Sequence, residues 1–139
     1  MRILGIDYGD SRIGVAVSDQ LEITANGLET INSGGNINIA VSKIIEICNN
    51  YEIKTIIVGY PKNMNGTLGE RTAITDKFID MLQKKLPGMK IIKWDERLSS
   101  AEAHKIMRET GLKTRKKGKG IVDKIAAEII LQGYLNSIS

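Results

Sequence analysis

Four carboxylates, at three separated points of the chain, are of a type that could bind divalent cations. Asp7 lies inside the apolar run 2–8, Asp95 and Glu96 end a later apolar run, and Asp123 lies near the start of the last one. Mg²⁺ takes one or two carboxylates and completes its shell with water and phosphate oxygens. Two such ions about 4 Å apart hold the attacking and leaving oxygens of a phosphodiester. Converged carboxylates would therefore give the chain the chemistry of a metal-dependent nuclease.

Asp7 is the most unusual of the four, because it shares a predicted strand face with Ile3 and Gly5. A carboxylate buried there without a partner would cost several kcal/mol. Its partner is either an arginine, Arg12 or Arg97, or a divalent cation shared with the other acids. The residues alone leave both readings open.

The other carboxylates also have two readings each. Asp123 is predicted in the first turn of the last helix, where the N-terminal dipole stabilises a negative charge by about 0.3–1 kcal/mol. That stabilisation needs no function, but it also keeps the carboxylate ionised and ready to bind a metal. Asp95 and Glu96 are adjacent, so a regular strand turns only one of them to a given face. We expect one to be catalytic and the other structural.

The whole chain has a net charge of +4, and its basic side chains are concentrated in residues 60–139. Residues 1–59 carry seven acidic and four basic side chains, whereas residues 60–139 carry nine acidic and sixteen basic ones. Such a distribution suits a protein that contacts a polyanion, although a solvated surface would account for it equally simply. Aromatic residues make up only 4% of the chain, so contacts with nucleic acid should be made to phosphates and not by base stacking. The densest basic segment contains Lys113, Arg115, Lys116, Lys117 and Lys119.

Hydrophobic periodicity predicts an α/β fold in which a mixed five-stranded sheet is flanked by helices. The three strands predicted first are joined by short turns and should be antiparallel, whereas the later two follow helices and should be parallel. We expect one domain over residues 1–139. The predicted strands are 2–8, 12–19, 22–30, 55–59 and 90–94, and the predicted helices are 37–50, 73–86, 99–111 and 121–137.

Several classes of protein are excluded by the composition. A single cysteine, Cys48, cannot form a disulfide within the chain, and together with the single histidine, His104, it cannot build a thiolate–histidine zinc site. We expect Cys48 and Trp94 in the core and His104 near the surface. No apolar run reaches the roughly 20 residues of a membrane-spanning helix, and the first residues lack the basic, apolar and small-residue order of a signal peptide. The chain is expected to be soluble and cytoplasmic, with no membrane partner.

Four motifs, in order along the chain, are similar to those of the YqgF family of RNase H-like proteins. Members of that family are described as Holliday junction resolvases and as nucleases that mature the precursor of 16S rRNA. The resemblance covers nearly the whole chain and rests on a specific combination of segments. These are GIDYG at 5–9 with RIGVA at 12–16, VGYP at 58–61 with NMNGT at 63–67, DERLS at 95–99, and VD at 122–123 with the alanines at 126–127.

The resemblance implies an RNase H-like fold whose acidic cluster consists of Asp7, Glu96 and Asp123, with Asp95 as a further metal ligand. The cluster would hold Mg²⁺ or Mn²⁺ and hydrolyse phosphodiester bonds, either at the 5′ end of pre-16S rRNA during ribosome biogenesis or in branched DNA. Ribosomal particles are expected partners, and the chain would act as a monomer or a homodimer. Arg12, Arg97 and the basic segment Lys113, Arg115, Lys116, Lys117 and Lys119 are expected to contact the nucleic acid.

The sequence departs from the family pattern at two places. RNase H-like nucleases commonly carry an acid where the fourth strand ends, but here that strand ends in Gly59, Tyr60 and Pro61. A third ligand would therefore have to be Asp95 or Glu96. Related sequences often have aspartate at the position of Asn65, where this chain has a neutral amide.

Two other functions remain open at this stage. In a non-catalytic nucleic-acid-binding or ribosome-associated module, the acidic cluster would serve stability only. The strand turn at Asp7 and Gly9 also resembles the phosphate-binding turn of actin-like and sugar-kinase ATPases. Those enzymes close two such domains around a nucleotide, however, and 139 residues supply only one.

Overall fold

A computed structural model describes residues 1–60, 69–95 and 119–139, and within these the chain forms the predicted mixed sheet. The strands are β1 (Arg2–Tyr8), β2 (Arg12–Ser18), β3 (Ala25–Asn32), β4 (Ile53–Tyr60) and β5 (Lys90–Asp95). β1 pairs antiparallel with β2, and β2 pairs antiparallel with β3, whereas β1–β4 and β4–β5 pair parallel. The spatial order is β3-β2-β1-β4-β5, which places β1 at the centre.

Helices pack on both faces of this sheet. They are α1 (Ile37–Tyr51), α2 (Glu70–Lys85) and α3 (Lys119–Ile138). The predicted helix 99–111, with His104, lies outside the described residues, as does the loop 62–68 that contains Asn65. None of the helices formed by the described residues is long and apolar enough to cross a membrane.

One face of the sheet is covered by α1 and α2. Alternate side chains of β1, among them Leu4, Ile6 and Tyr8, are buried against these helices. Tyr8 stacks on Phe78 of α2 with ring centroids 4.3 Å apart. Cys48 is buried in the same cluster, as the helical periodicity predicted.

The other face of the sheet is covered by α3 alone among the described helices. The side chains that alternate with the first set, such as Ile3, Ala16 and Ile57, pack against Ala127 and Leu131 of α3. Small residues bring the helix close to the strands, because a Cβ at Gly5 would lie 2.6 Å from the Cβ of Leu131. Trp94, which was predicted in the core, is only partly buried and packs against the margin of this cluster, with its ring edge-on to that of Tyr134 at 5.8 Å.

The position of α3 along the sheet is fixed by its contacts with the edge strand β3. Gln132 accepts a hydrogen bond from the Ala25 amide (2.9 Å) and donates one to the Ile23 carbonyl (3.0 Å). Glu128 accepts one from the Gly27 amide at 2.6 Å. These side chains satisfy backbone groups that an edge strand otherwise leaves open, and they tie the last helix to the first hairpin strands.

The start of β3 was predicted wrongly at Glu22. The strand begins at Ala25 because the Asp19 carboxylate accepts hydrogen bonds from the Ile23 amide (2.7 Å) and the Thr24 amide (3.0 Å). Glu22 itself adopts a left-handed backbone, with φ of 60°, and so ends the extended run. An aspartate that accepts hydrogen bonds from backbone amides a few residues later favours a turn. The pattern of apolar residues alone did not indicate this turn.

The buried stripe of α2 is also different from the predicted one. Periodicity placed Ala73 and Ile74 on it, but both are exposed, Ile74 to 46%. Thr72 and Thr75 are buried instead. Their hydroxyls donate hydrogen bonds to main-chain carbonyls of the preceding turn, so neither buried hydroxyl is left without an acceptor. Threonine can therefore occupy an apolar helix face that a hydropathy pattern assigns to aliphatic residues.

Candidate active site

Asp7 lies on the face of the sheet that α3 covers. It alternates along β1 with Leu4, Ile6 and Tyr8, whose side chains face α1 and α2. Its direct partner on β2 is Gly14. Directly paired residues of an antiparallel ladder share a face, so the surface next to the Asp7 carboxylate carries no side chain from β2 at this point.

Asp123 is brought to the same place by the close approach of α3. A Cβ built on Gly14 would lie 1.9 Å from the Asp123 carbonyl oxygen and 3.2 Å from its Cα. The backbone of Asp123 therefore lies directly on Gly14, beside Asp7. Gly14 therefore contacts the backbone of Asp123 on one side and pairs with Asp7 on the other.

The helix that carries Asp123 begins earlier than the sequence predicted. It starts at Lys119 and not at Ile121, so Asp123 is the fifth helical residue and lies beyond the first turn. Only the first four amides of a helix lack intrahelical acceptors, and the dipole effect fades after the first turn. The prediction that helix-end electrostatics stabilise Asp123 was therefore wrong.

Arg12 provides the positive charge that Asp123 contacts. Its Nε donates to the Asp123 Oδ2 at 2.8 Å, across 111 positions of the chain. Both side chains are partly open to solvent, Arg12 to 36% and Asp123 to 21%. The sequence named Arg12 only as a possible partner for Asp7, and its contact with Asp123 was not predicted.

Asp95 lies on the opposite side of the sheet from this pair. It is in register with Tyr60 of β4, and it alternates with Trp94, which packs towards α3. Residues in register on parallel strands share a face. Tyr60 faces α2, where its hydroxyl donates to Asp76 at 2.8 Å. Asp95 thus extends from the α2 side, while Asp7 extends from the α3 side.

A polar cluster next to Asp95 was missed by the sequence reasoning. Asp76 accepts the Tyr60 hydroxyl and pairs with Lys93 at 2.7 Å, and the Lys93 ammonium lies 5.0 Å from the centroid of the Tyr60 ring. The Lys93 hydrogen bond holds the pKa of Asp76 below its ordinary value, and burial raises the pKa of Tyr60. No sequence pattern distinguished Asp76 or Lys93 from the other charged residues of the chain.

The remaining residues of the predicted site lie largely outside the described part of the chain. Lys119 begins α3, and its side chain is not among those described. No cluster of three or more acidic, histidine or cysteine side chains suited to a metal occurs within residues 1–60, 69–95 and 119–139. The residues that lie outside are Glu96, Arg97, Lys113, Arg115, Lys116 and Lys117.

The two acids that do meet have the right donor chemistry for a divalent cation. Carboxylate oxygens are hard ligands, and Mg²⁺ needs only one or two of them besides water and phosphate oxygens. The absence of a side chain at Gly14 lets the Asp123 backbone approach the strand beside Asp7. The Arg12 guanidinium shows that Asp123 already attracts a cation there. Asp7 and Asp123 therefore fit a divalent-metal site.

Comparison with known proteins gives matches over the full length of the chain. A family model described as "RuvX: Holliday junction resolvase" matches residues 1–137. A protein of Ruminiclostridium cellulolyticum is 55% identical over 139 residues, covering 100% of this chain and 96% of its own. One of Acetivibrio thermocellus is 53% identical over 137 residues, covering 99% and 96%. Both carry the name "Putative pre-16S rRNA nuclease".

The fold is also that of a solved resolvase. The structure "T. thermophilus RuvC in complex with Holliday junction substrate" matches with a TM-score of 0.64 and 14% identity, over 99% of this chain and 96% of that one. At this identity the likeness concerns the fold, and it confirms the RNase H-like architecture.

Proposed function

This chain belongs to the RuvX (YqgF) family of Holliday junction resolvases, and on that premise we propose that it is a metal-dependent endonuclease acting on precursor 16S rRNA. The observation that carries the proposal is the meeting of Asp7 and Asp123 over Gly14. Gly14 pairs with Asp7 on the central strand and packs against the backbone of Asp123, and Mg²⁺ or Mn²⁺ needs only one or two carboxylates besides water and phosphate oxygens.

The choice of RNA is supported by the relatives that are most similar in sequence. Proteins 53% and 55% identical to this chain, and nearly equal to it in length, are named for pre-16S rRNA. The neighbour crystallised with a four-way junction is only 14% identical.

Precursor rRNA as substrate also implies a cytoplasmic protein that contacts ribosomal particles. We treat residues 1–139 as one domain, acting as a monomer or a homodimer. Branched DNA is the competing substrate in the experiment below.

We assign Glu96, and not Asp95, as the third carboxylate. Asp95 shares the face of Tyr60 and Lys93, away from Asp7. Glu96, which lies outside the described residues, is the other acid of the adjacent pair in the DERLS motif. Glu96 would then complete the acidic cluster, in place of the acid that this chain lacks at Gly59.

The chain's own residues have separable tasks in this mechanism. Divalent ions would activate water and stabilise the charge that develops on the phosphate. The ions would be held by Asp7, which is fixed in the central strand, and by Asp123, whose backbone packs on Gly14. Arg12 neutralises Asp123 at 2.8 Å when no such ion is bound. The close packing of α3 on Gly5 and Gly14 would keep the distance between Asp7 and Asp123 constant.

We assign binding of the nucleic acid to basic side chains that contact its phosphates. Such contacts carry no sequence information and weaken with salt. Replacing three of the lysines, Lys113, Lys116 and Lys117, by glutamine should weaken binding to all sequences equally and flatten the dependence of log K on log salt by about two to three units. An unchanged slope would remove the segment from the interface. The other residues of this interface are Arg12, Arg97, Arg115 and Lys119.

The decisive experiment compares cleavage of labelled pre-16S rRNA, generic single-stranded RNA and a four-way DNA junction in Mg²⁺, Mn²⁺ or EDTA. Asp7→Asn should abolish cutting while the protein stays folded. Asp10→Asn is the matched control, because it makes the same change in the same hairpin at an exposed position and should cut normally. Glu96→Gln against Asp95→Asn identifies the third carboxylate.

Each outcome has a definite meaning. Cutting of the rRNA precursor, lost in EDTA and in Asp7→Asn, supports the proposal. A preference for the junction would keep the nuclease and replace its substrate. Binding without cutting by the wild-type protein, unchanged in Asp7→Asn, would refute the enzyme and leave a non-catalytic binding module.

A further inference from the structure

The Arg12–Asp123 ion pair places a cation where the proposed function needs a different one. Arg12 is on β2, two positions before Gly14, and its Nε lies 2.8 Å from the Asp123 carboxylate. Arg12 is hydrogen-bonded to one oxygen of this carboxylate, and the like charges of a guanidinium and a divalent ion repel at this range. Loading of a metal on Asp123 is therefore opposed by the charge of Arg12.

The exposure of the pair makes such an exchange feasible. The two side chains are 36% and 21% accessible, so water can solvate each partner as the contact opens. Ion pairs with solvent access are weak, whereas breaking a fully buried pair leaves an uncompensated charge. The contact is therefore weak enough for a divalent cation to replace it.

We propose that Arg12 is an exchangeable counter-charge that competes with the divalent cation for Asp123, and so sets the cation concentration at which the site loads. This inference rests on the proposed function, since it assumes that Asp7 and Asp123 bind the metal. Arg12 is on this view a positioning residue. It holds the Asp123 side chain beside Gly14 and keeps the neighbouring acids from repelling each other when the cation is scarce.

The test measures Mn²⁺ binding to the folded protein by calorimetry, without nucleic acid, so that it does not depend on activity. Arg12→Gln should lower the Kd of Mn²⁺ by about fivefold, the effect expected from removing a partly exposed competing pair. Lys124→Gln is the matched control. It removes the same charge one residue after Asp123, but Lys124 lies against β3, its Cβ 3.3 Å from where a Cβ on Gly27 would be. Its Kd should change less than about twofold.

The outcomes separate this inference from the proposed function. If Arg12→Gln and Lys124→Gln change the Kd equally, or if Arg12→Gln changes nothing, Arg12 does not compete and the inference is wrong. If Asp7→Asn and Asp123→Asn bind Mn²⁺ as the wild type does, the metal site itself is wrongly placed. Arg12→Met, which keeps an unbranched apolar stem, replaces Arg12→Gln if circular dichroism shows the latter to be unfolded, and it should tighten binding by a similar factor.

Discussion

Replacing Gly14 by alanine should displace α3 and separate the two acids of the site. The added Cβ would lie 1.9 Å from the Asp123 carbonyl oxygen and 2.5 Å from the carbonyl carbon, whereas real Cβ contacts are not shorter than 3.0 Å. Relief of the clash requires a movement of about 1 Å, and the atoms in the way are backbone, which cannot rotate aside as a side chain would. The strain therefore falls on the packing of the whole helix.

The size of the effect follows from what α3 contributes. Overpacked cores lose about 1–3 kcal/mol, and the upper end is expected because Ala127, Ile130 and Leu131 are almost fully buried against the sheet. A misplacement of about 1 Å in a catalytic group costs roughly 100-fold in rate. Gly14→Ala should thus lose about 3 kcal/mol of unfolding free energy, and cleavage should fall by about two orders of magnitude.

Urea denaturation measures the first quantity and single-turnover cleavage the second. Gly88→Ala is the matched control, since Gly88 is exposed and a Cβ there would meet nothing within 4 Å. That variant should stay within about 0.5 kcal/mol of the wild type. If Gly14→Ala behaved like Gly88→Ala, α3 would not be seated on Gly14, and the assembly of the site described above would be refuted.

Three further predictions concern stability and reactivity. The pKa of Asp76 is lowered, chiefly by its hydrogen bond with Lys93, so its contribution is present above the ordinary value of 3.8 and is lost as pH falls through the lower folded pKa. The difference in unfolding free energy between the wild type and Asp76→Asn should therefore shrink in acid titrations below that value and persist at pH 7; a constant difference would contradict it. Burial raises the pKa of Cys48 to about 11, so a thiol reagent at pH 8 should modify it only in urea. Reaction in buffer at the rate of a free thiol would show that the core is open. The Asn36 side chain accepts hydrogen bonds from two amides at the start of α1, and Asn36→Ala should cost about 1 kcal/mol in urea denaturation. A loss much below 0.5 kcal/mol would mean that water replaces the cap.

The elements of the fold could be predicted because each has its own periodicity. Run 2–8 alternates between two buried faces, and α1 repeats at helical spacing through Val41, Ile44 and Cys48. Short turns between the three strands of the meander dictate antiparallel pairing, and the helices between later strands dictate parallel pairing. Errors occurred where a polar side chain satisfied itself locally, as Thr72 and Thr75 do on α2.

The site could be predicted only in part. The sequence singled out Asp7 and Asp123, because an acid in an apolar strand is unusual and because the family motifs contain both. The contact between Arg12 and Asp123 spans 111 positions, and no local pattern reports a contact over that separation. The face of the sheet that Asp95 takes also needed the strand register, since only its pairing with Tyr60 reveals it.

The location of Asp123 on α3 has a consequence for folding. Asp7 and Asp123 are far apart along the chain, and the Asp123 backbone reaches Gly14 only when α3 docks on the sheet and Gln132 binds the edge of β3. Bringing such distant segments together costs loop-closure entropy. A chain whose first hairpin is formed but whose α3 is undocked therefore lacks the contact on which the proposed site depends.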